Sequence, residues 1–180
     1  HAHSELTGKL GVALVTAGPG VTNAMTGIAN AHVARASILV LSGLPPRAQE
    51  NRGALQDIVH TDLLKSITRY ARTVRQSSLV LQELDEAVSR AMGAGGEPGP
   101  VYLDFPTDVL REEVPRAIQM LEHFRPKIIR PLLPHADDVA EAVRVLWGAK
   151  KPLVISGRGA RGAQKELCEF LDKLGAVYLD

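Results

Sequence analysis

Short apolar runs alternate along this chain with stretches in which apolar residues recur every three or four positions. Val12 to Val15 is one such run, ended by Thr16 to Gly20, and a run bounded by turn residues predicts a strand buried on both faces of a parallel sheet. From Val21 the period changes: Val21, Ala24, Met25, Ile28, Ala29 and His32 fall on one face of a helix running to Ala34. Ser37 to Ser42 predicts a second buried strand, closed by the breakers Gly43-Leu44-Pro45-Pro46. A polar loop, Arg47 to Gly53, then leads to a short helix over Gln56 to Lys65 and an alternating strand over Tyr70 to Arg75. Leu79 to Met92 predicts an amphipathic helix, with Leu79, Leu81, Leu84, Ala87, Val88 and Ala91 on its buried side. Gly93, Gly95 and Gly96 close it before the strand Val101 to Phe105.

Strands that alternate with helices imply parallel βαβ units and an α/β fold, a parallel sheet flanked by helices. Between Arg111 and His135 the periodicity lapses and Pro115, Pro126, Pro131 and Pro134 enter among scattered charges, the mark of a linker. Periodicity resumes with a helix over Asp137 to Trp147, a strand over Pro152 to Ser156, the turn Gly157 to Gly162, a helix to Leu174 and a strand over Ala176 to Asp180. The predicted organisation is a partial α/β domain over residues 1–112, a linker over 113–135, and an incomplete Rossmann-like α/β domain over 136–180. Roughly 45 residues bury too little surface to stand as an ordinary domain.

Composition narrows the function classes. Of 180 residues, 45% are hydrophobic and only 4% aromatic, so the predicted core is aliphatic and rich in alanine. A net charge of +1, with no basic run interleaved with aromatics, sets nucleic-acid binding aside. No apolar stretch approaches a membrane-spanning length and the N-terminus lacks an apolar signal core, so no membrane partner is expected and the default location is the cytoplasm. Cys168, the single cysteine, falls at helical spacing with Leu167 and Leu171 and reads as a small buried apolar residue.

Two turns carry candidate chemistry. In Gly18-Pro19-Gly20 the glycines let the backbone bend and a ligand approach, while proline fixes φ between them. Ligands of open α/β sheets sit at the carboxyl ends of strands, where this turn falls, although a tight connection of no chemical use has the same signature. Gly157-Arg158-Gly159-Ala160-Arg161-Gly162 is a G-x-G-x-x-G after a strand and before a helix, with Asp180 ending the next strand, which is the dinucleotide fingerprint in its usual context.

Histidines say less. His1 and His3 lack a third ligand, so no metal residues are assigned. His32 on its apolar face reads as a hydrogen-bonded core or interface histidine, and His60, His123 and His135 lie in polar surroundings with no role assigned. Ala24, Gly27, Ala31 and Ala34 put small residues on one side of a helix, which suits either a subunit contact or ordinary intrachain packing.

Five blocks stand in order along residues 8–115: TAGPGVTNAMTGIANAH at 16–32, SILVLSG at 37–43, GALQD at 53–57, KSITRYARTV at 65–74 and GEPGPVYLDFPTDV at 96–109. Together they resemble the pyrimidine-binding domain of thiamine-diphosphate-dependent enzymes, acetolactate synthase-like branch, and residues 137–180 resemble the opening of the middle domain of those enzymes. The resemblance implies that Gly18, Pro19, Gly20 and Asn23 line the pocket for the aminopyrimidine of thiamine diphosphate. It also implies that Gln56, matching the glutamine of a Phe-Gln-Glu motif, faces the substrate; its amide can donate to a carboxylate or oxyanion. Leu55 and Asp57 depart from that motif and leave substrate choice open. The plainer alternatives are an Asn23 bonded to local backbone and a Gln56 that merely starts a helix.

The implied reaction is decarboxylation of a 2-oxo acid such as pyruvate with transfer of the resulting acyl-anion equivalent, that is, carboligation by a lyase or transferase. Thiamine diphosphate and Mg2+ are the implied cofactors, with the diphosphate and the metal held mainly by another domain, and a homodimer or homotetramer is the implied assembly. Neither an activating glutamate nor a Gly-Asp-Gly followed by a distant Asn is found in these residues, so an internal fragment, inactive by itself, is expected. FAD binding, as in some members, would use Gly157, Gly159 and Arg161. Two further readings stay open: an NAD- or FAD-binding oxidoreductase built on the Gly157–Gly162 turn, and a noncatalytic assembly module with the same fold.

Overall fold

The computed structural model describes residues 1–114, 121–122 and 133–179. Most of the predicted linker, including Pro115, Pro126 and Pro131, together with His123 and Asp180, lies outside them. The chain divides into two compact units, His1–Ile129 and Arg130–Asp180.

In the first unit a short helix α1 (Ala2–Thr7) precedes β1 (Gly11–Val15), α2 (Pro19–Val33), β2 (Ile38–Leu44), α3 (His60–Leu64), β3 (Tyr70–Thr73), α4 (Val80–Ala91), β4 (Pro100–Pro106) and α5 (Thr107–Leu110). The strands form one parallel sheet in the order β1-β2-β4-β3. The expected α/β class is therefore what the chain adopts. β4, buried along its whole length, is central.

Strand pleating sorts the core into two layers. Ile38 and Val40 of β2 and Tyr102 of β4 face one way, into a cluster with Val21, Ile28 and Ala31 of α2 and with Leu64 of α3. Leu39, Val101, Leu103 and Phe105 face the other way, against Ala87 and Ala91 of α4 and Val74. Each large aliphatic side chain buried this completely contributes about 1.5–3 kcal/mol. The register sets Val40 beside Tyr102 and Ser42 beside Asp104. Polar groups on the α2 side thus emerge together at the carboxyl ends of β2 and β4.

Two expectations need correction. β1 is not buried on both faces: it is an edge strand, Val15 turns toward the core, and Val12 and Leu14 are 64% and 79% exposed. A continuous apolar run does not distinguish an edge from a centre. The helix expected from Gln56 to Lys65 forms only over His60–Leu64, because Gln56 takes a φ of 66°, which no α-helix accommodates. Of the two readings of the small residues of α2, intrachain packing accounts for Ala31, which is fully buried, and for Ala24 and Ala34 packed beside it, whereas Gly27 is exposed.

In the second unit α6 (Ala136–Trp147) precedes β5 (Leu153–Ile155), a 3-10 turn (Arg158–Ala163), α7 (Gln164–Leu174) and β6 (Val177–Leu179). β5 and β6 pair in parallel. No residue of α6, β5, α7 or β6 is buried, and Cys168 is exposed rather than enclosed. Among the described residues no helix is long and apolar enough to cross a membrane.

Candidate functional site

The turn after β1 is built by close approach. Gly18 precedes the first residue of α2 with φ 61°, a left-handed value that favours glycine, and Pro19 fills the first helical position, where its missing N–H costs nothing. A β-carbon added to Gly18 would lie 2.9 Å from Cβ of Gln56, and one added to Gly20 would lie 2.7 Å from Cγ2 of Thr16. Both spaces are filled by the protein itself. The glycines are therefore required by their own neighbours, a packing role in addition to the cofactor contact that the resemblance implies for them.

Gln56 is brought against this turn from a segment with no regular structure. It is half-buried, whereas Leu55 beside it is 86% exposed and Asp57 is half-buried. Pro19 and Asn23 are exposed and Gly20 is half-buried, so the open rim consists of Pro19, Gly20 and Asn23, with the root of the Gln56 side chain, Cα to Cγ, against Gly18. Gln56 does not start a helix, which disposes of the plainer alternative offered for it.

Beneath the turn lies a buried polar chain that the pattern of residues did not reveal. The backbone N–H of Gly18 donates to Nε2 of His60 at 2.8 Å. An Nε2 that accepts must belong to the tautomer protonated on Nδ1, and Nδ1 faces Oδ2 of Asp104 at 3.3 Å. Tyr102 donates its hydroxyl to the same Oδ2 at 3.0 Å, and Ser42 Oγ lies 2.5 Å from the Tyr102 hydroxyl. His60 and Asp104 are 1% and 0% exposed. Burial, and then the charge of Asp104, push the Tyr102 phenol well above its ordinary value, so it remains a neutral donor. The expectation that His60 sits in polar surroundings is overturned: Thr61 and Asp62 follow it in sequence, but the fold turns its ring into the core.

The loop that carries Gln56 is tied down at its start. Arg47 donates through Nε to Asp108 Oδ2 at 2.7 Å, through Nη1 to the carbonyl of Arg75 at 2.8 Å, and through Nη2 to Glu112 at 2.5 Å. The side-chain bond from Arg47 holds the Asp108 carboxyl below its ordinary value. Glu112 is likewise held low, first by a hydrogen bond involving Ser77 and then by Arg47.

Other histidines occupy minor positions. His32 is half-buried, and its Nδ1 has no hydrogen-bond partner among the described residues, so of the core and interface readings the bonded core one is not met at Nδ1. His1 Nδ1 lies 2.8 Å from the Asn30 amide nitrogen, and His135 Nδ1 accepts from the Asp137 amide at the start of α6.

In the second unit, a cavity of about 440 Å³ is lined by Gly157, Arg158, Arg161 and Gln164, together with Ser156 and Tyr178, whose hydroxyls meet at 2.7 Å. Gly159 does not line it. A β-carbon at Gly157, Gly159 or Gly162 would meet no atom of the protein within 4 Å, and none of the three has positive φ.

Comparison with known proteins identifies the first unit. Residues 1–65 match the family model "Thiamine pyrophosphate enzyme, N-terminal TPP binding domain". The chain is 32% identical over 190 residues to 2-hydroxyacyl-CoA lyase 2 of Danio rerio, covering 88% of this chain and 30% of that protein. It is 33% identical over 171 residues to the acetolactate synthase isozyme 3 large subunit of Escherichia coli K12, covering 93% and 29%. To 2-hydroxyacyl-CoA lyase of Arabidopsis thaliana it is 30% identical over 188 residues, covering 99% and 32%. The chain spans about a third of the length of these curated relatives. A parallel sheet that ends in a Gly-Pro-Gly turn, the matched N-terminal domain and relatives of both kinds place this chain in the acetolactate synthase-like family of thiamine-diphosphate-dependent enzymes.

Proposed function

We propose that this chain supplies the aminopyrimidine-facing side of a thiamine diphosphate site in an enzyme that decarboxylates a 2-oxo acid and joins the acyl unit to an acceptor. The observation that carries the reading is the contact between Gln56 and Gly18, which roots a side chain that ends in an amide beside the turn at the end of β1. The rim fits a small heteroaromatic ring: Pro19 offers a rigid apolar surface, while Asn23 and Gln56 offer amides that both donate and accept. When bound, thiamine diphosphate supplies the carbon that attacks the substrate carbonyl. The residues of this chain orient that ring and keep the amide of Gln56 directed at the substrate side. Mg2+ and the diphosphate belong to residues beyond these, and a homodimer or homotetramer is the assembly we expect.

A second reading is cleavage of a 2-hydroxyacyl-CoA, the reaction in the name of several relatives. The exposed Leu55 favours it, because an open apolar residue next to Gln56 suits a long acyl chain better than a methyl group. The test is substrate consumption by the full-length protein with Mg2+ and thiamine diphosphate, pyruvate against a 2-hydroxyacyl-CoA. Pyruvate turnover with a carboligation product supports the first reading, and exclusive turnover of the thioester supports the second. Consumption of neither, with no cofactor bound, refutes both.

The cavity beside Gly157 and Arg161 is proposed as a nucleotide contact. The empty space around its glycines, with two arginines on the lining, admits a phosphate. FAD is the candidate occupant, and a flavin absorption spectrum of the purified protein would establish it.

A further inference from the structure

A buried backbone N–H must find an acceptor, and Gly18 lies just before the first turn of α2, where no intrahelical carbonyl is available to it. Its acceptor is an imidazole 42 residues away. The imidazole is in turn fixed by a carboxylate a further 44 residues on. A carboxylate that takes the proton side of a histidine determines both its tautomer and its ring orientation. Here Asp104 is itself fixed by Tyr102, whose ring meets the His60 ring edge-on at 6.2 Å between centroids. The chain ends on the amide of the glycine whose left-handed conformation brings Gln56 into place.

We propose that His60, oriented by Asp104, is a positioning residue for the site: it locks the Gly18–Pro19–Gly20 turn, and with it Gln56, in the form that meets the cofactor. The inference rests on reading that turn as the aminopyrimidine contact. His60 touches neither cofactor nor substrate in this arrangement; it acts through the Gly18 amide. Its neutral Nδ1–H form is the only one that serves, because either the opposite tautomer or the imidazolium would set an N–H against the N–H of Gly18. A side-chain amide carries one acceptor and one donor at comparable separation, so glutamine at position 60 can replace both bonds, whereas leucine replaces neither.

The test compares His60→Leu and His60→Gln in the full-length protein by two readouts. One is hydrogen exchange, by mass spectrometry, of the segment from Thr16 to Thr22 without cofactor. The other is the dissociation constant of thiamine diphosphate with Mg2+. His60→Leu is expected to speed exchange of that segment and weaken cofactor binding, each by roughly tenfold or more, as loss of one buried hydrogen bond implies. His60→Gln is expected to restore both to within roughly threefold. Unchanged exchange in His60→Leu, or faster exchange with unchanged cofactor affinity, overturns the proposal. If His60→Leu does not fold, a folded His60→Gln decides: wild-type exchange supports the lock and fast exchange overturns it. A wild-type protein that binds no thiamine diphosphate, yet loosens in His60→Leu, refutes the cofactor reading while the anchor itself stands.

Discussion

Gln56 occupies the space that a side chain on residue 18 would need: a β-carbon added to Gly18 would lie 2.9 Å from Cβ of Gln56, and both residues hold positive φ, 61° and 66°. A non-glycine residue in that region costs of order 1 kcal/mol or more and persists where surrounding contacts impose it. Gly18→Ala should therefore destabilise the protein by about 2–4 kcal/mol, the sum of a steric and a conformational cost. Gln56→Gly should stabilise by about 0.5–1 kcal/mol while lowering turnover, since strain is relieved and the amide is lost. In the double variant most of the steric part should vanish, because Cβ and Cγ of Gln56 are gone while its Cα, 3.3 Å from the added carbon, remains. Urea unfolding of the four proteins checks this, and strict additivity would mean that the two residues do not meet.

Gly20 makes the same kind of contact with a different neighbour. Its added β-carbon would lie 2.7 Å from Cγ2 of Thr16, an atom that serine lacks. Gly20→Ala is expected to lower stability by about 1–3 kcal/mol, and Thr16→Ser in the same protein to recover most of it. Thermal unfolding of the single and double variants measures the recovery.

Asp104 accepts from two buried donors inside a central strand. Asp104→Ala leaves the His60 Nδ1–H and the Tyr102 hydroxyl without an acceptor, a loss of about 2–4 kcal/mol. Ser42→Ala removes the bond between the two hydroxyls and a longer one to the Gly43 carbonyl, leaves both donors to Asp104 in place, and should cost about 1 kcal/mol. Denaturant midpoints for the two variants should fall in that order. Equal midpoints would show that the chain of bonds is not anchored at the carboxylate.

The Arg47 cluster supplies a pH dependence whose sign is fixed. Asp108 and Glu112 are both held below their ordinary values of 3.8 and 4.5. A carboxyl with a lowered folded value contributes stability that is whole above its unfolded value and is lost as the pH falls through the folded one. The segment from Arg47 to Gln56 should thus become protease-sensitive on acidification below those values. Arg47→Met should open it already at neutral pH and flatten the acid response. Limited proteolysis across that range reads both effects.

Much of this architecture was legible because the period of the apolar positions switches between strand and helix, as at Val15 to Val21 and again between Val88 and Val101. The position of a strand within the sheet was not legible. Val12 to Val15 reads like an interior strand, and only the order β1-β2-β4-β3 makes it an edge. Gln56 is marked by its motif, but no local pattern announces a left-handed glutamine, and the residue it packs against, Gly18, is distant in sequence. His60 was passed over because its neighbours in sequence are polar. A signal was nevertheless present: Asp104 stands alone among Val101, Tyr102, Leu103 and Phe105, and a carboxylate in a buried strand requires a partner.

The place of β4 in the sheet bears on how the protein is made. It lies between β2 and β3, yet both precede it in the chain, so the central strand of the sheet is the last to leave the ribosome. Gly18 must wait for residues 42 and then a further 44 positions downstream, roughly 4 to 17 seconds at ordinary rates of synthesis. During that interval β2 presents an unpaired apolar edge, and the turn after β1 has no acceptor for its amide. Slow codons ahead of β4 would lengthen that exposure.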